Sequence, residues 1–305
     1  MIDNDIKQRF VFVNSGIRGE IVRLNASYRT ILSKHNYPLP VQQLLGEALA
    51  IAALLSSTLK TDGIVTVQIQ SKGPITLLVT QANYLNQLRG IVHWEGDVSN
   101  ETLAQAFGEG HLVITIDPGQ GNERFQGIVE LQGKTLSEAL INYFQQSEQI
   151  NTYLYLAADE NTVAGILLQV LPQTNDSQLN ENVENEDQNV QLNWEAVVQL
   201  TSTLTAAEIL NLPNAEILRR LYLNHEEDVR LFDGDRLSFQ CACSRERMEN
   251  ALRLLSQDEI LEIIKEKNTI TVTCEFCNQK FEFDAIDVTL LFTDTAAASI
   301  SETKH

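Results

Sequence analysis

Residues 241–284 read CACSRERMENALRLLSQDEILEIIKEKNTITVTCEFCNQKFEFD, and they contain all four cysteines of a 305-residue chain. The cysteines form two close pairs, Cys241/Cys243 and Cys274/Cys277. Thiolates are soft ligands, and four of them occupy every corner of a zinc tetrahedron, which leaves no position for water or substrate. The spacing therefore predicts a coordinatively closed zinc site with these four cysteines as ligands.

The residues between the two pairs predict how the pairs meet. SRERMENALRLLS (244–256) is a predicted helix, and DEILEIIKE is a second one that begins with a capping box of Ser256 and Glu259. TITVTCEFCNQKFEFD (269–284) alternates apolar and polar residues and predicts a hairpin whose turn carries the second pair. Both pairs would then lie in one small C-terminal domain.

The N-terminal part of the chain is rich in segments with a period of two. In IVTVQIQ (64–70), Val65, Val67 and Ile69 lie on one face of a strand and polar residues lie on the other. Eight further segments are predicted strands: RFVFV (9–13), EIVRLN (20–25), PITLLVT (74–80), GIVHW (90–94), LVITI (112–116), FQGIVEL (125–131), TYLYLA (152–157) and VAGILLQVL (163–171). So many strands indicate at least one large sheet, antiparallel in part.

Helical segments interrupt these strands. VQQLLGEALAIAALLSSTLK (41–60) is rich in Ala and Leu and apolar nearly all round, which is typical of a helix buried inside a domain. A second helix is predicted at 137–146. The fold class is therefore predicted to be α+β, with an N-terminal mixed sheet domain around a buried core helix, a short helical linker region and a small C-terminal zinc-binding domain.

The composition changes after the last predicted strand. QTNDSQLNENVENEDQN (173–189) carries five acidic residues and no basic one, and it has too little apolar surface to order itself. Short amphipathic helices are predicted next: LNWEAVVQLTSTL (192–204), then TAAEIL with a capping box of Thr205 and Glu208, then NAEILRRLYL from Asn214. Helices of this length are marginal on their own.

The predicted organisation has four parts. We expect an N-terminal α+β core at 1–175, an acidic flexible segment and helical linker at 176–231, a zinc-binding domain at 232–292 and a disordered tail at 293–305. The boundary after the N-terminal core is placed at the acidic segment, where the composition changes.

Charge and hydropathy argue against two classes of partner. The chain has 22 Lys+Arg against 41 Asp+Glu, a formal charge of -19, which repels phosphate backbones and anionic membrane surfaces. We expect no nucleic-acid partner and no membrane partner.

The N-terminal sequence has no apolar stretch of signal-peptide length, and the longest aliphatic run, 48–55, is far shorter than the ~20 residues that span a bilayer. We therefore expect a cytoplasmic location.

The cysteines also allow other interpretations. A nucleic-acid-binding zinc ribbon is disfavoured because residues 241–283 hold six Lys+Arg against eight Asp+Glu. A thiol–disulfide oxidoreductase would use Cys274-Glu-Phe-Cys277, but such a motif normally begins a helix, not a hairpin turn. A third possibility, that the zinc only stabilises the fold of its domain, remains open.

The sequence also lacks two common motifs of enzymes. No phosphate-binding glycine loop and no G-x-S-x-G elbow occurs, so we predict no catalytic residue and no enzyme.

The run CACSRERMENALRLL…TVTCEFCNQKFEFD strongly resembles the C-terminal zinc domain of the heat shock protein 33 family, the redox-regulated holdase chaperones. The resemblance continues in GEALAIAALLSSTLK (46–60), in Gln68-Ile69-Gln70 with Gly73-Pro74, and in YFQQSEQINT (143–152). It therefore covers most of the chain, and the acidic segment matches least.

The resemblance implies a cofactor, a redox state and partners. It implies that Cys241, Cys243, Cys274 and Cys277 bind one Zn²⁺ when reduced, and that Cys241–Cys243 and Cys274–Cys277 become disulfides when oxidised. It also implies an ATP-independent chaperone of unfolded client proteins, active under oxidative stress and homodimeric when oxidised through its N-terminal domain.

The resemblance further implies a mechanism. Accessible zinc thiolates are already deprotonated, so peroxide or hypochlorite can attack them. Loss of zinc would unfold residues ~232–290 and then release the linker at about 192–231, because short helices are weakly stable alone. Twelve apolar linker residues would leave their burial sites, together with the surface of the N-terminal sheet beneath them, and the exposed apolar patches would bind clients. The twelve residues are Trp194, Val197, Val198, Leu200, Ile209, Leu210, Leu212, Ile217, Leu218, Leu221, Tyr222 and Leu223. The high negative charge would oppose self-aggregation.

Overall fold

The structure is a computed structural model, and it describes residues 4–13, 15–59, 62–99, 102–119, 123–171, 193–223 and 229–292. The chain divides into two compact units, Met1–Gln240 and Cys241–His305. The predicted acidic segment, 173–189, and the predicted tail, 293–305, lie outside the described residues.

Two sheets form the frame of the first unit. The strands of the first sheet are β1 (Ile6–Phe12), β2 (Ile17–Leu24), β8 (Thr152–Ala158), β9 (Val163–Val170) and β10 (Val229–Arg236), in the spatial order β10-β1-β2-β9-β8. The strands of the second are β3 (Ile64–Ser71), β4 (Ile75–Asn83), β5 (Gln87–Trp94), β6 (Gly110–Asp117), β7 (Phe125–Glu130) and β11 (Ser238–Phe239), in the order β11-β5-β4-β3-β6-β7. The described pairs are antiparallel except the short β11–β5 pair, which is parallel.

The helices of the first unit fall into two groups. The first group is α1 (Ala26–Leu32), α2 (Leu39–Leu55) with a 3₁₀ turn at Ser56–Thr58, α3 (Leu103–Phe107) and α4 (Leu136–Tyr143) with a π turn at Phe144–Glu148. The linker group is α5 (193–201), α6 (Ala206–Asn211) and α7 (Asn214–Leu221). The capping box of Thr205 and Glu208 that was predicted for α6 is present.

Helix α2 is the core of the first unit. It contacts β2, β8 and β9 of the first sheet and β3, β4 and β5 of the second, so both sheets bury their inner faces against it. Leu39–Thr58 is long and apolar enough to span a membrane by length and composition, but 72% of its most apolar window is buried inside the structure. Packing between the sheets therefore accounts for its apolar sequence.

The linker helices cover the outer face of the first sheet. Side chains of β1, β2 and β9, among them Phe10, Ile21 and Ile166, form one apolar cluster with Val197, Ile209, Ile217 and Tyr222 of α5–α7 and the residue that follows them. We call this cluster the linker interface. Of the twelve apolar linker residues predicted to be buried, Leu223 is the clear exception, since it is 55% exposed.

The second unit is small. It contains α8 (Arg245–Leu252), α9 (Gln257–Lys267), the hairpin β12 (Ile270–Thr273) and β13 (Lys280–Phe283), and α10 (285–292). The capping box of Ser256 and Glu259 is present at the start of α9, as predicted. The predicted fold class is confirmed: an α+β chain with sheets around a buried helix, a helical linker and a small C-terminal unit that carries the cysteines.

The structure assigns β10 to the first unit, because this strand pairs with β1 from Phe12↔Val229 to Ile6↔Arg236. The sequence placed the start of the C-terminal domain at residue 232, inside this strand. The two compact units meet at Gln240/Cys241 because residues on each side of this point contact mainly their own unit. The domain boundaries given from the sequence refer to functional parts, and they stay a prediction.

Candidate metal centre

Two different local structures hold the four cysteines. Cys241 and Cys243 lie in an extended segment just before α8, whose first turn is capped by the Ser244 hydroxyl accepting from the Arg247 N–H. Cys274 and Cys277 lie in the turn of the β12–β13 hairpin, as the sequence predicts. The second unit therefore brings a helix start and a hairpin turn together.

The hairpin turn is fixed by its own backbone. The Cys274 N–H donates to the Gln279 carbonyl at 2.9 Å, and the Asn278 N–H donates to the Cys274 carbonyl at 2.8 Å. Asn278 has a φ of 58°, a left-handed conformation that asparagine tolerates better than most residues. This turn presents both of its thiols on the side of Cys241 and Cys243.

The four sulfur atoms form one cluster. All four Sγ atoms lie within 4.8 Å of one another, with Cys241 Sγ 3.7 Å from Cys274 Sγ and Cys243 Sγ 3.5 Å from Cys277 Sγ. A tetrahedral zinc ion with metal–sulfur distances of about 2.3 Å requires sulfur–sulfur separations of about 3.8 Å. The donor set and its spacing thus fit a tetrahedral thiolate site, and the cysteines are close enough to hold a metal ion.

The electrostatics of the cluster also favour a cation. Burial alone raises the pKa of Cys241, but hydrogen bonds from the Cys243 backbone and the neighbouring thiols outweigh it, so the pKa lies below its ordinary value. Burial raises the pKa of Cys243, and the contacts with Cys277 and Cys241 raise it further. Several thiolates at this spacing repel one another unless a cation lies between them.

The second unit also has a small apolar core, and Arg245 packs against one of its residues, Phe283. The side chains of Leu252, Ile260, Ile264, Phe283, Val288 and Leu291 are buried together. Arg245 Nη2 donates to Asp287 Oδ2 at 2.7 Å, Arg245 Nη1 donates to the Glu282 carbonyl at 3.0 Å, and its guanidinium carbon lies 4.3 Å from the centre of the Phe283 ring. Arg245 thereby ties α8, which follows the first cysteine pair, to the hairpin that carries the second.

The chain is similar to known proteins over nearly its whole length. The family described as Hsp33 protein matches residues 5–284. This chain belongs to the Hsp33 family. The 33 kDa chaperonin of Nitrosococcus oceani is 43% identical over 305 residues, which is 100% of both chains, and that of Shewanella loihica is 44% identical over 302 residues, 99% of this chain and 100% of the relative. The family recognised from the cysteine region is confirmed, and the chain is a member of a family of chaperones.

A solved structure shows that the fold is shared as well. The crystal structure of the 33 kDa chaperonin, a heat shock protein 33 homolog, from Thermotoga maritima matches with a TM-score of 0.77. The match covers 96% of this chain and 99% of that chain at 22% sequence identity. At this level of identity the likeness concerns the Hsp33 fold alone.

The structure brings all four sequence-predicted residues into one cluster, while their roles as ligands stay a prediction. Two close sulfur contacts, Cys241–Cys274 and Cys243–Cys277, join cysteines of different pairs. Sulfur proximity in this state therefore does not select the predicted disulfides, Cys241–Cys243 and Cys274–Cys277. That pairing rests on the Hsp33 resemblance and stays a prediction.

Sequence analysis missed one residue of the linker interface. Arg23 on β2 is 1% exposed, and its Nη2 donates to the Ile209 carbonyl at 2.7 Å and to the Leu212 carbonyl. These carbonyls are at the C-terminal end of α6, where a cation is stabilised by the helix dipole. The signal was present in the sequence, because Arg23 shares a strand face with the apolar Ile21. A second polar contact, between the Thr201 and Tyr222 hydroxyls at 2.6 Å, joins α5 to the residue after α7.

Proposed function

We propose that this member of the Hsp33 family is a redox-regulated, ATP-independent holdase that protects unfolding proteins from aggregation under oxidative stress. The cluster of four sulfur atoms within 4.8 Å of one another carries the proposal. Such a cluster holds a metal ion when reduced, and it can be oxidised without any other cofactor. The chain acts as a binding protein and not as an enzyme.

The cofactor is one Zn²⁺, held by Cys241, Cys243, Cys274 and Cys277 in the reduced state. The ion compensates the charge of four thiolates and stabilises the small second unit, since structural zinc contributes about 10–16 kcal/mol in comparable sites. Four protein ligands leave no open position for a water molecule, so the ion is not catalytic.

Oxidation converts the four thiolates into two disulfides, Cys241–Cys243 and Cys274–Cys277. Each disulfide forms with the loss of two electrons, and one molecule of peroxide accepts them and is reduced to water. Two equivalents of peroxide are therefore consumed, and the zinc ion loses all four ligands. Each disulfide closes a loop of only a few residues, which restrains the unfolded chain weakly. The second unit consequently loses the stability that the metal provides, and the two disulfides add little stability in its place.

Activation follows from unfolding of the second unit. Helices α5–α7 are short, and most of their stability comes from the linker interface. When they leave the first sheet, a face that is fully buried in this structure becomes exposed, with the side chains Phe10, Ile17, Ile21, Ala164, Ile166 and Leu168. A contiguous apolar face of this kind binds other apolar chains. The partners are unfolded or partly unfolded client proteins.

The remaining features of the proposal concern assembly and location. The oxidised chain acts as a homodimer through its N-terminal part, in the cytoplasm, with no nucleic-acid or membrane partner. The formal charge of -19 supports the absence of nucleic-acid and membrane partners, because it repels phosphate groups. The same charge opposes aggregation of chains that expose an apolar face.

The test combines zinc content with aggregation of a heat-unfolded client, measured for the reduced chain and for the chain treated with peroxide and then freed of it. We expect about one zinc and no protection in the reduced chain, and no zinc and full protection in the oxidised chain. If zinc leaves and neither form protects the client, the zinc domain is purely structural and the holdase proposal is wrong. If the chain catalyses the oxidation of test dithiols or the reduction of test disulfides, the oxidoreductase alternative replaces it.

A further inference from the structure

A cavity of about 260 Å³ lies in the first unit, on the α2 side of the first sheet. Its walls are mainly apolar and come from the end of α2, from β6 and β9 and from α4: Leu54, Leu55, Ile114, Ile116, Tyr143 and Leu167. Side chains alternate along β2, so Ile21 and Arg23 point to the linker interface while Arg18 and Glu20 point to this cavity. The cavity therefore lies on the face of the sheet that α5–α7 do not cover.

One polar group in the cavity wall has an unmet hydrogen-bonding need. Glu20 is 7% exposed, and no hydrogen-bond donor among the described residues reaches its Oε2 atom. Its Oε1 atom lies 3.6 Å from Arg9 Nε. Burial is the main reason that the pKa of Glu20 is raised. The nearby Ser57 hydroxyl donates to the Leu54 carbonyl at 2.7 Å, and it also lies close enough to the Glu20 carboxyl to lower the pKa of that group.

The missing partner of Glu20 is a neutral donor and not a cation. Three cations, Lys7, Arg9 and Arg18, already lie close enough to stabilise its charge. Arg18 also lines the cavity, where its Nη2 donates to Gln169 Oε1 at 2.8 Å. A further ammonium group would be repelled by these cations, and a free carboxylate would be repelled by Glu20 itself. An uncharged N–H group beside an apolar body meets both requirements.

We infer that this cavity binds one large apolar residue of an extended, unfolded polypeptide. The side chain of that residue fills the apolar end, its peptide N–H donates to Glu20 Oε2, and its carbonyl accepts from the Arg18 guanidinium. Glu20 and Arg18 are two residues apart on one face of β2, a separation of about 7 Å, which suits the N–H and C=O groups of a single extended residue. The inference rests on the proposed function only in naming an unfolded client as the source of the polypeptide.

The position of the cavity gives it a property that the linker interface lacks. Because α5–α7 cover the opposite face of the sheet, release of the linker is not needed to open it. The cavity can therefore bind a client residue in both the reduced and the oxidised chain. The apolar face under the linker, in contrast, is exposed only after oxidation.

The first experiment titrates the isotope-labelled full chain with blocked amino acids and follows backbone amide resonances. N-acetyl-leucinamide should bind saturably, with the largest shifts at Gly19, Leu167 and Gln169 and with the same Kd in the reduced and oxidised chains. N-acetyl-N-methyl-leucinamide lacks the N–H and should bind about tenfold more weakly, because the lost hydrogen bond has a charged acceptor. N-acetyl-glycinamide and N-acetyl-leucine should not saturate. Equal affinity for the two leucinamides, or no saturable binding, would overturn the inference.

Two variants locate the site. Leu167→Phe fills the cavity and should abolish binding of N-acetyl-leucinamide, whereas Leu85→Phe, an equal change at an exposed turn away from the cavity, should leave the Kd unchanged. Glu20→Met should reduce the tenfold preference for the N–H-bearing probe to about onefold, an effect that a purely structural role would not produce. If Leu167→Phe binds as the parent does, the cavity is not the site.

The outcomes for the cavity and for the holdase are distinguishable. If oxidation activates the chain but the blocked leucine never binds, the proposed function stands and the cavity inference fails. If the blocked leucine binds in both redox states but neither state suppresses aggregation, the cavity is a site for an apolar residue and the holdase proposal fails.

Discussion

Glu47 lies on the core helix α2, and burial raises the pKa of its carboxyl to about 7 from an ordinary value of 4.5. A carboxyl whose pKa is higher in the folded than in the unfolded chain binds its proton more tightly when folded. Its contribution to stability is therefore complete below about pH 4.5 and is lost as the pH rises through about 7. Glu47 is thus a residue at which the folded Hsp33 chain loses stability between mildly acid and neutral pH.

We expect Glu47→Gln to remove this pH dependence. A change in pKa from 4.5 to about 7 corresponds to about 3 kcal/mol, so the variant should be more stable than the parent by up to that amount at pH 8 and differ little from it at pH 4.5. The free energy of unfolding in urea, measured at several pH values, checks this. The exposed Glu95→Gln serves as the control and should follow the parent at every pH. A difference between parent and Glu47→Gln that does not change with pH would contradict the assignment.

Each cysteine of the cluster is expected to be individually necessary. Cys274 is the most buried of the four, and Cys274→Ser replaces a soft thiolate with a hydroxyl that zinc binds poorly. We expect zinc affinity to fall by at least a hundredfold and the thermal transition of the second unit to be lost at ordinary zinc concentrations. Competition with a chromogenic chelator measures the affinity. Thr271→Ser on the neighbouring strand is the control, and a Cys274→Ser chain that binds one zinc as tightly as the parent would show that the ligand set is wrong.

At the scale of secondary-structure elements, the linker helices depend on the sheet beneath them. Helices α6 and α7 have six and eight residues, too few to be stable in water alone. Their apolar residues are buried in the linker interface, and Arg23 supplies a charged donor to the carbonyls at the end of α6. The linker is therefore held by one apolar face and by one buried guanidinium group.

We expect Arg23→Met to loosen the linker without unfolding the sheet. The methionine fills the apolar site but leaves the Ile209 and Leu212 carbonyls without this donor, at a cost of about 1.5–3 kcal/mol for hydrogen bonds to a charged group. Amides of α6 and α7 should then exchange with solvent about tenfold to a hundredfold faster, while those of β2 and β9 keep their protection. Arg29→Met, at an exposed position of α1, is the control. Faster exchange in β2 alone, with α6 and α7 unchanged, would contradict a role of Arg23 in docking the linker.

A strand can be predicted from the sequence when its own residues carry the signal, and it is missed when the strand depends on a partner far away along the chain. The nine strands with period-two segments were all found in the structure, because side-chain alternation along one strand is a local signal. Strand β10 was missed: its sequence, VRLFDGDR, contains two aspartates and Gly234, which disfavour strands. It pairs with β1, more than 200 residues earlier, and a Cβ at Gly234 would lie 2.3 Å from Ile6 Cδ1, so the Ile6 side chain would have to move to accommodate another residue. The sequence pattern of residues 229–236 alone does not indicate that this segment pairs with β1.

The same distinction applies to the functional sites. The four-cysteine cluster was predicted because residue type and spacing alone define a thiolate site. Arg23 and Glu20 were not, although both lie in a predicted strand, since their roles depend on what the fold places opposite them: carbonyls of α6 for Arg23 and an apolar cavity for Glu20. A charged residue inside a strand pattern was the available signal, but it identifies the residue and not its partner.

At the scale of the whole molecule, the two units have cores of very different size. The first unit buries a long helix between two sheets, whereas the described part of the second unit, residues 241–292, has a core of six buried apolar side chains. A core of that size rarely stabilises a fold without a metal or a disulfide. The proposed zinc ion thus acts on a part of the chain that has little other stability, and the first unit keeps its own core when the metal is lost.

Removal of zinc from the reduced chain should therefore unfold the second unit selectively. We expect a chelator to eliminate one calorimetric transition. It should also allow trypsin to cleave after Arg247, Arg253 and Lys265, whose side chains are exposed but whose backbone is held in or next to α8 and α9. Helix α2 and the strands around it should stay protected because their core contains no cysteine. Re-addition of zinc should restore the transition and the resistance, which excludes irreversible damage. The Cys274→Ser chain should resemble the chelated parent without any chelator. A single transition in which both units unfold together would contradict this picture, since the second unit could then not report oxidation while the first remains folded to bind a client.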